Sequence, residues 1–436
     1  MLTKPPRVDL KIKGADIILS TNKKNKNALE VIVDVFLDAG YTLFKWMIGD
    51  SNNYFDLDKF FRDIELKNKQ DIFPCVSKKI KTDISVKYIV SLPVGLELKD
   101  FLSIKNALEQ QVQQKIDITY KNGYIIIEVF SKELEETIPY RLPSKAIVNG
   151  SLKIPVGESI RGVEYIRTDD IAHTLISGTT GSGKSVATRS LLVSLINMYS
   201  PQELDIFLLD FKQVELSVFR NVEHCKCFIR DPYEGKDVIE QLMEECQRRY
   251  SEFFKCEVNS IQEYNKKNPK NKMKMQAIFI EEFVMMSLAG KKAVETLKRF
   301  ASLSRASGQF LFLSCQRPDN TVVNNVLKSC LGNRMVFRQE DLKNSIISLD
   351  APGAEKLNGA GHGLLKQGSK VAEFQAYWLS LDEAKEYIKP FIKKENPVSK
   401  MNEYRSPNNK SEPVIEAPVI AEDANNLLDL SFLDKL

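Results

Sequence analysis

The sequence has little with which to build disulfides or a metal cage. Seven cysteines are dispersed over 436 residues with no CxxC pair, and there are only three histidines. An odd, scattered set excludes a disulfide framework and fits a reducing compartment. His224, Cys225 and Cys227 are close in sequence, but no fourth ligand follows at a usual spacing, so zinc is a poor fit. Long apolar runs are lacking too. Met1–Lys13 has no hydrophobic stretch of the kind a secretory leader needs. Leu29–Ile48 comes nearest to a membrane span, but Glu30, Asp34 and Asp38 recur at every fourth residue and Lys45 adds another charge. At about 2.5–3.5 kcal/mol for each charge near the centre of a bilayer, insertion is disfavoured. The segment reads as an amphipathic helix, packed on a domain or lying on a membrane or partner. The expected location is cytoplasmic, peripheral at a membrane only through a partner.

What is present is an ordinary globular composition, 43% hydrophobic and 28% charged, long enough for two or three domains. The net charge of +4 hides a split: residues 411–436 carry −5, leaving +9 on the rest. A modestly basic body with an acidic tail is compatible with a polyanionic partner.

Residues 1–150 read as a small α+β domain. Val86–Leu92 is β-rich, Leu98–Gln114 has helical spacing, and Tyr124–Phe130 is a strand after the turn signal Asn122-Gly123. Pro139–Pro143 and Asn149-Gly150 look like a linker. Residues 151–394 alternate strands (His173–Ser177, Leu204–Asp210, Ala277–Ile280, Phe310–Cys315) with helices (Gly183–Tyr199, Asp237–Lys255, Lys291–Ser307). Apolar strands between helices predict a parallel α/β sheet. Residues 395–436 are rich in Pro, Asn, Ser and Glu and read as a flexible acidic tail. The tail ends in an apolar cluster, Leu427–Leu433, either a frayed end or a docking peptide.

The chemistry centres on Gly178-Thr179-Thr180-Gly181-Ser182-Gly183-Lys184-Ser185, which satisfies G-x-x-x-x-G-K-[ST] between a strand and a helix. Glycines let backbone amides approach phosphates, and the helix N-terminus adds positive potential. Lys184 would reach the β- and γ-phosphates of ATP and Ser185 would ligate Mg²⁺. Glu281 and Glu282 end an apolar strand, as suits a carboxylate on a Mg²⁺-bound water and a base for the attacking water. Gln316 stands at another strand tip, either touching a γ-phosphate or water or simply ending the strand. Asp210-Phe211-Lys212 marks a third tip. Such tips converge at the carboxyl edge of a parallel sheet.

Taken together, these residues resemble the FtsK/SpoIIIE family of DNA-pumping ATPases. The likeness runs from about residue 170 to 365. It includes His173–Ser185, Asp210-Phe211-Lys212 with Val214-Glu215-Leu216, Met243-Glu244 with Arg248-Arg249-Tyr250, and Tyr264-Asn265. Gly290-Lys291-Lys292, Arg305-Ala306 with Gly308, Gln316-Arg317-Pro318, Asn333-Arg334 and Gly353–Leu357 continue it. The resemblance implies a RecA-like motor domain that forms a homo-hexameric ring on DNA, with Arg305 acting on a neighbour's nucleotide. Glu281 stands where the family has Asp, and a family lysine is not matched in register, Lys343 being near. Val90–Leu96 with Asp100-Phe101 resembles a segment of coupling-type members carried by integrative conjugative elements of Gram-positive bacteria. That implies a relaxase and a membrane-embedded conjugation component as partners. DNA contacts would be sequence-blind phosphate contacts. Lys291 and Lys292 are candidates, against a plain solvated helix face. The five-lysine run Lys266–Lys274 is another, against a solvated exterior loop. Alternatives are a DNA pump for segregation or packaging, and a nucleotide-gated scaffold with little hydrolysis.

Overall fold

The computed structural model describes residues 8–12, 15–19, 55–146, 149–213, 215–316 and 325–393. The segment Leu29–Ile48, the pair Arg317-Pro318 and the acidic tail lie outside the described residues. The chain divides into two compact units, Met1–Lys132 and Glu133–Leu436.

In the first unit β1 (Val8–Ile12) pairs antiparallel with β2 (Ala15–Leu19). Next come α1 (Leu57–Asp63), β3 (Val76–Lys81), β4 (Ser85–Ser91), α2 (Leu98–Ser103), α3 (Lys105–Val112), β5 (Ile116–Lys121) and β6 (Tyr124–Phe130). The order β3-β4-β6-β5 is antiparallel throughout. Asn122 and Gly123 both have positive φ, 51° and 84°, the turn geometry that an Asn-Gly pair favours in a hairpin. One face of the sheet buries Tyr88, Val90, Ile125 and Ile127 with Phe61 and Phe101 from the helices. The single helix expected over Leu98–Gln114 is two, broken at Ile104.

The second unit runs β7 (Ile138–Pro139), β8 (Lys153–Ser159), β9 (Gly162–Arg167), β10 (Thr174–Ser177), α4 (Lys184–Met198), β11 (Leu204–Asp210) and β12 (Cys225–Ile229). It continues with α5 (Pro232–Lys255), α6 (Ile261–Lys267), β13 (Met275–Glu281), α7 (Lys291–Leu303), β14 (Gln309–Cys315) and α8 (Asn325–Cys330). The last elements are β15 (Asn333–Phe337), α9 (Leu342–Leu349), β16 (His362–Gln367), β17 (Lys370–Trp378) and α10 (Leu381–Ile388). Among the described residues these strands form one sheet, ordered β12-β11-β13-β14-β10-β15-β16-β17-β8-β9, with β7 on β17. From β12 to β15 neighbours are parallel, as expected. From β15 to β9 they are antiparallel, an extension the strand–helix alternation did not announce.

Successive residues of the parallel strands feed opposite faces, so the sheet separates two cores. Ile206, Leu208, Ala277, Phe279, Phe310 and Phe312 pack with α4, and Phe279 stacks on Phe312 at 4.4 Å. Phe207, Leu209, Ile278, Ile280, Leu311 and Leu313 pack with α5 and α7. Each such side chain contributes about 1.5–3 kcal/mol over leaving it in water. Helix α5 starts five residues before the expected Asp237, because Asp231 caps it (Oδ1 accepts the Tyr233 amide at 2.6 Å) and Pro232 takes its first turn. The linker-like reading of Pro139–Pro143 is corrected. Tyr140 is buried, its hydroxyl lies 3.0 Å from Ser194 Oγ, and its ring meets Tyr377 and Tyr387. Aromatic burial outweighs the punctuation by proline.

Where β17 meets β8, backbone approaches backbone: a Cβ at Gly157 (φ 159°) would lie 2.0 Å from the Gln375 carbonyl oxygen. No helix among the described residues is long and apolar enough to cross a membrane.

Candidate nucleotide-binding site

Strand β10 ends at Ser177 and α4 begins at Lys184, so the six residues between them must turn the chain in a tight loop. Gly181 and Gly183 take positive φ, 76° and 101°. A Cβ at Gly183 would lie 2.3 Å from the Gly361 amide nitrogen, which itself donates to the Ser182 carbonyl at 2.9 Å. The loop is braced on its other flank by the Arg338 carbonyl, which accepts from the Thr179 amide at 3.0 Å and its hydroxyl at 3.1 Å. Thr180 and Gly181 face solvent. The Ser182 hydroxyl is buried without a hydrogen-bond partner. A glycine cradle at a helix N-terminus with an unsatisfied buried hydroxyl fits a polyphosphate.

The strand tips converge on this loop. Lys184 Nζ is buried, ion-paired with Glu281 Oε1 at the end of β13 and bonded to Ser314 Oγ on β14 at 2.7 Å. Glu282 follows in the left-handed region (φ 54°, ψ 52°), a conformation costly for a residue with a long side chain. Both its oxygens are engaged: Oε2 accepts from Lys212 Nζ at 2.6 Å and Oε1 from the Gln316 backbone amide at 3.3 Å. Gln316 therefore joins the cluster through its main chain. Asp210, beside Glu281 in register, is wholly buried; Oδ2 accepts the Leu216 amide at 3.0 Å and Oδ1 has no partner. Ser185 Oγ donates to Glu215 Oε1 at 2.7 Å. The hydroxyl oxygen of Ser185 and the carboxylate oxygens of Glu281 are hard donors that suit Mg²⁺.

Lys184, Ser185, Glu281, Glu282 and Gln316 are thus brought together. Lys212 and Glu215 complete the cluster without having been assigned a role from sequence. Lys212 was legible as part of a third strand tip expected to converge here, Glu215 only as part of a resemblance. Cys315 is buried beside Glu282, and that burial raises its thiol far above its ordinary value.

Arg305 does not join them. It follows α7 and precedes β14, at the amino edge of the parallel sheet, where it is exposed and donates from Nη2 to the Asp169 carbonyl at 3.0 Å. The five lysines from Lys266 to Lys274 also lie at this edge, ahead of β13; Lys274 pairs with Asp205 at 3.2 Å. Next to Arg305, His173 is buried and neutral, its pKa lowered to about 4 chiefly by burial. Its Nε2 lies 2.9 Å from the Ala301 carbonyl and Nδ1 accepts the Leu311 amide at 3.0 Å. Lys291 and Lys292 are exposed in the first turn of α7, at the carboxyl edge; Lys292 Nζ is 3.8 Å from Glu240. Arg334 is buried and bridges to Asp350 at 2.6 Å, while Lys343 is exposed on α9. His224, Cys225 and Cys227 point into the core: His224 Nε2 meets the Tyr199 carbonyl at 3.0 Å, and burial pushes the Cys225 thiol up to about 12.

Residues 146–320 match the sequence model of the FtsK/SpoIIIE family. The DNA translocase FtsK of Helicobacter pylori is 32% identical over 256 residues, 57% of this chain and 30% of that one. Its counterpart in Bacillus cereus is 28% identical over 358 residues, 77% of this chain and 44% of that one. The chain spans less than half the length of these curated relatives. Among solved structures, the monomer form of the pCW3 conjugation coupling protein TcpA with ATPγS has a TM-score of 0.54 and 22% identity, covering 76% of this chain and 97% of that one. This is a likeness of fold. The likeness to the FtsK/SpoIIIE family thus lies on residues 146–320, within the second unit, whose α/β fold with a largely parallel sheet is shared with that coupling protein.

Proposed function

From the likeness of residues 146–320 to the FtsK/SpoIIIE family, we propose that this chain is an ATPase that couples ATP hydrolysis to movement along DNA. It works as a homo-hexameric ring in which each nucleotide lies between two copies, and it delivers DNA to a secretion channel in conjugative transfer. One observation carries the reading: Arg305 and Lys184 stand at opposite edges of the same parallel sheet. An arginine there serves a nucleotide only if the nucleotide belongs to a neighbouring copy. The conjugative role rests on the coupling-type segment Val90–Leu96 and agrees with the fold shared with a conjugation coupling protein.

The residues divide the chemistry as follows. Lys184 exchanges Glu281 for the β- and γ-phosphate oxygens and neutralises charge that grows on the leaving group. Ser185 and Glu281 would hold Mg²⁺, Glu281 through a water. The chemistry such an ion would supply is neutralisation of phosphate charge. Glu282 takes the proton of the water that attacks the γ-phosphorus, while Gln316 keeps the carboxylate oriented through its amide. The neighbour's Arg305 approaches the γ-phosphate. Two lysines in the first turn of α7 oppose that helix's own dipole, a placement that favours an anionic partner such as a DNA phosphate.

The test is ATP turnover by the full chain alone, with duplex DNA and with single-stranded DNA. Stimulation by DNA is the expected result, and the better-stimulating form identifies the track. Turnover indifferent to both, with ATP bound, would replace the motor by a nucleotide-gated scaffold.

A further inference from the structure

Beyond β11, Glu215 meets the first turn of α4. Residues on either side of it are tied to the strand end: the Gln213 amide, at φ 60°, donates to the Asp210 carbonyl at 3.1 Å, and Asp210 Oδ2 accepts the Leu216 amide at 3.0 Å. Leu216 and Phe219 are both buried in the core on the α4 side of the sheet. That anchorage brings Glu215, half-buried, to Ser185, where Oε1 accepts the hydroxyl proton at 2.7 Å.

A serine hydroxyl has one proton and two lone pairs. To ligate a cation it must offer a lone pair and turn its proton away, and a proton free to rotate toward the cation opposes binding. Glu281 is engaged by Lys184, and the Ser185 hydroxyl donates to Glu215 instead. We propose that Glu215 is a positioning residue for the Mg²⁺·nucleotide complex: it holds the Ser185 proton and aims the oxygen lone pair at the ion. The role follows the general rule that partners of ligands set their orientation and basicity, with losses of about 10–100-fold in metal affinity or activity when such partners are removed. The inference rests on the nucleotide-site part of the functional reading and is independent of DNA.

The experiment is binding of a fluorescent ATP analogue to the full chain, in EDTA and across a Mg²⁺ titration, for wild type, Glu215→Ala and Glu215→Gln. Thermal unfolding midpoints are measured alongside. Glu215→Ala is expected to bind nucleotide normally in EDTA but to need about 10-fold more Mg²⁺ for the metal-dependent gain. Glu215→Gln keeps an acceptor oxygen and is expected to restore most of that gain. A wild-type Mg²⁺ requirement in Glu215→Ala overturns the proposal. So does a Glu215→Gln variant as impaired as Glu215→Ala, or a Glu215→Ala defect already full in EDTA, which would make the residue a structural prop. Failure of DNA to stimulate turnover would undo the translocase reading and leave this result standing.

Discussion

The two edges of one parallel sheet hold their polar groups in opposite ways. At the carboxyl edge, charges pair with charges: Lys184 with Glu281 and Lys212 with Glu282, in the company of two backbone positions at positive φ, Gln213 and Glu282. At the amino edge, neutral hydrogen-bonded networks lie beside the buried Arg249 guanidinium, which is fixed by Glu245 and by the Lys274 and Ser307 carbonyls. His173 uses both ring nitrogens, and Asn333 Nδ2 donates to the Arg167 and Ile171 carbonyls at 2.9 and 2.7 Å. Gln309 binds the Leu242 carbonyl and Gln276, and accepts from Ser307. A saturated neutral network fixes geometry and has nothing to exchange. Mutually paired charges can be redistributed when a polyanion arrives, because every partner they lose has a replacement. The contrast teaches that the strands carry the same apolar pattern to both ends, while function separates by which end is left exchangeable.

Arg305 stands apart at the amino edge, since it is exposed and held only by the Asp169 carbonyl among the described contacts. Arg305→Ala is expected to lower turnover by about 10³-fold. Mixing it with Lys184→Ala chains is expected to recover a fraction of wild-type turnover, because mixed rings rebuild intact junctions; no recovery would return Arg305 to its own subunit. At the exchangeable edge, Glu282→Gln is expected to slow hydrolysis by about 10²–10³-fold in single turnover, with nucleotide affinity unchanged.

The amino edge is tested by acid. The folded His173 pKa is about 4 against 6.5 for the free side chain, so between those values the unfolded chain takes up a proton that the folded chain refuses. Stability should therefore fall as pH drops from about 6.5 to about 4, by up to about 3 kcal/mol from this group, and stay flat above about 7. In His173→Asn that slope should shrink in urea titrations, while ATP affinity at neutral pH stays near wild type. The smallest effect belongs to Lys291→Ala and Lys292→Ala. Each should lower the slope of log affinity for DNA against log salt by about 1. An unchanged slope would make that turn of α7 a solvated face.

Much of this was legible because the sequence speaks most clearly where strands are buried on both faces. The runs ending at Asp210, Glu281 and Cys315 could be placed within two residues, and Asn122-Gly123 specified its hairpin. The phosphate loop announced itself by spacing. The antiparallel extension β16-β17-β8-β9 did not, since β8 and β9 precede the phosphate loop in sequence and find partners only beyond β15. Glu215 was equally silent. Its position depends on Leu216 and Phe219 choosing the α4 side of the sheet, which is decided by packing and not by local pattern. Tyr140 was hidden inside a proline-punctuated stretch whose aromatic ring found a core.

The clasp of Gly157 against Gln375 has a consequence for how the protein is made. Strand β8 leaves the ribosome ahead of the phosphate loop, yet its partner β17 is some 220 residues later. At about 5–20 residues per second, that wait lasts on the order of 10–45 s. Through that interval a nascent chain holds an unfinished sheet edge, and a chain that ends before Gln375 lacks the Ala376 amide that donates to Gly361, the residue bracing the phosphate loop. Nucleotide binding by chains released at successive lengths should therefore switch on late, near the end of β17, long after Lys184 has been synthesised.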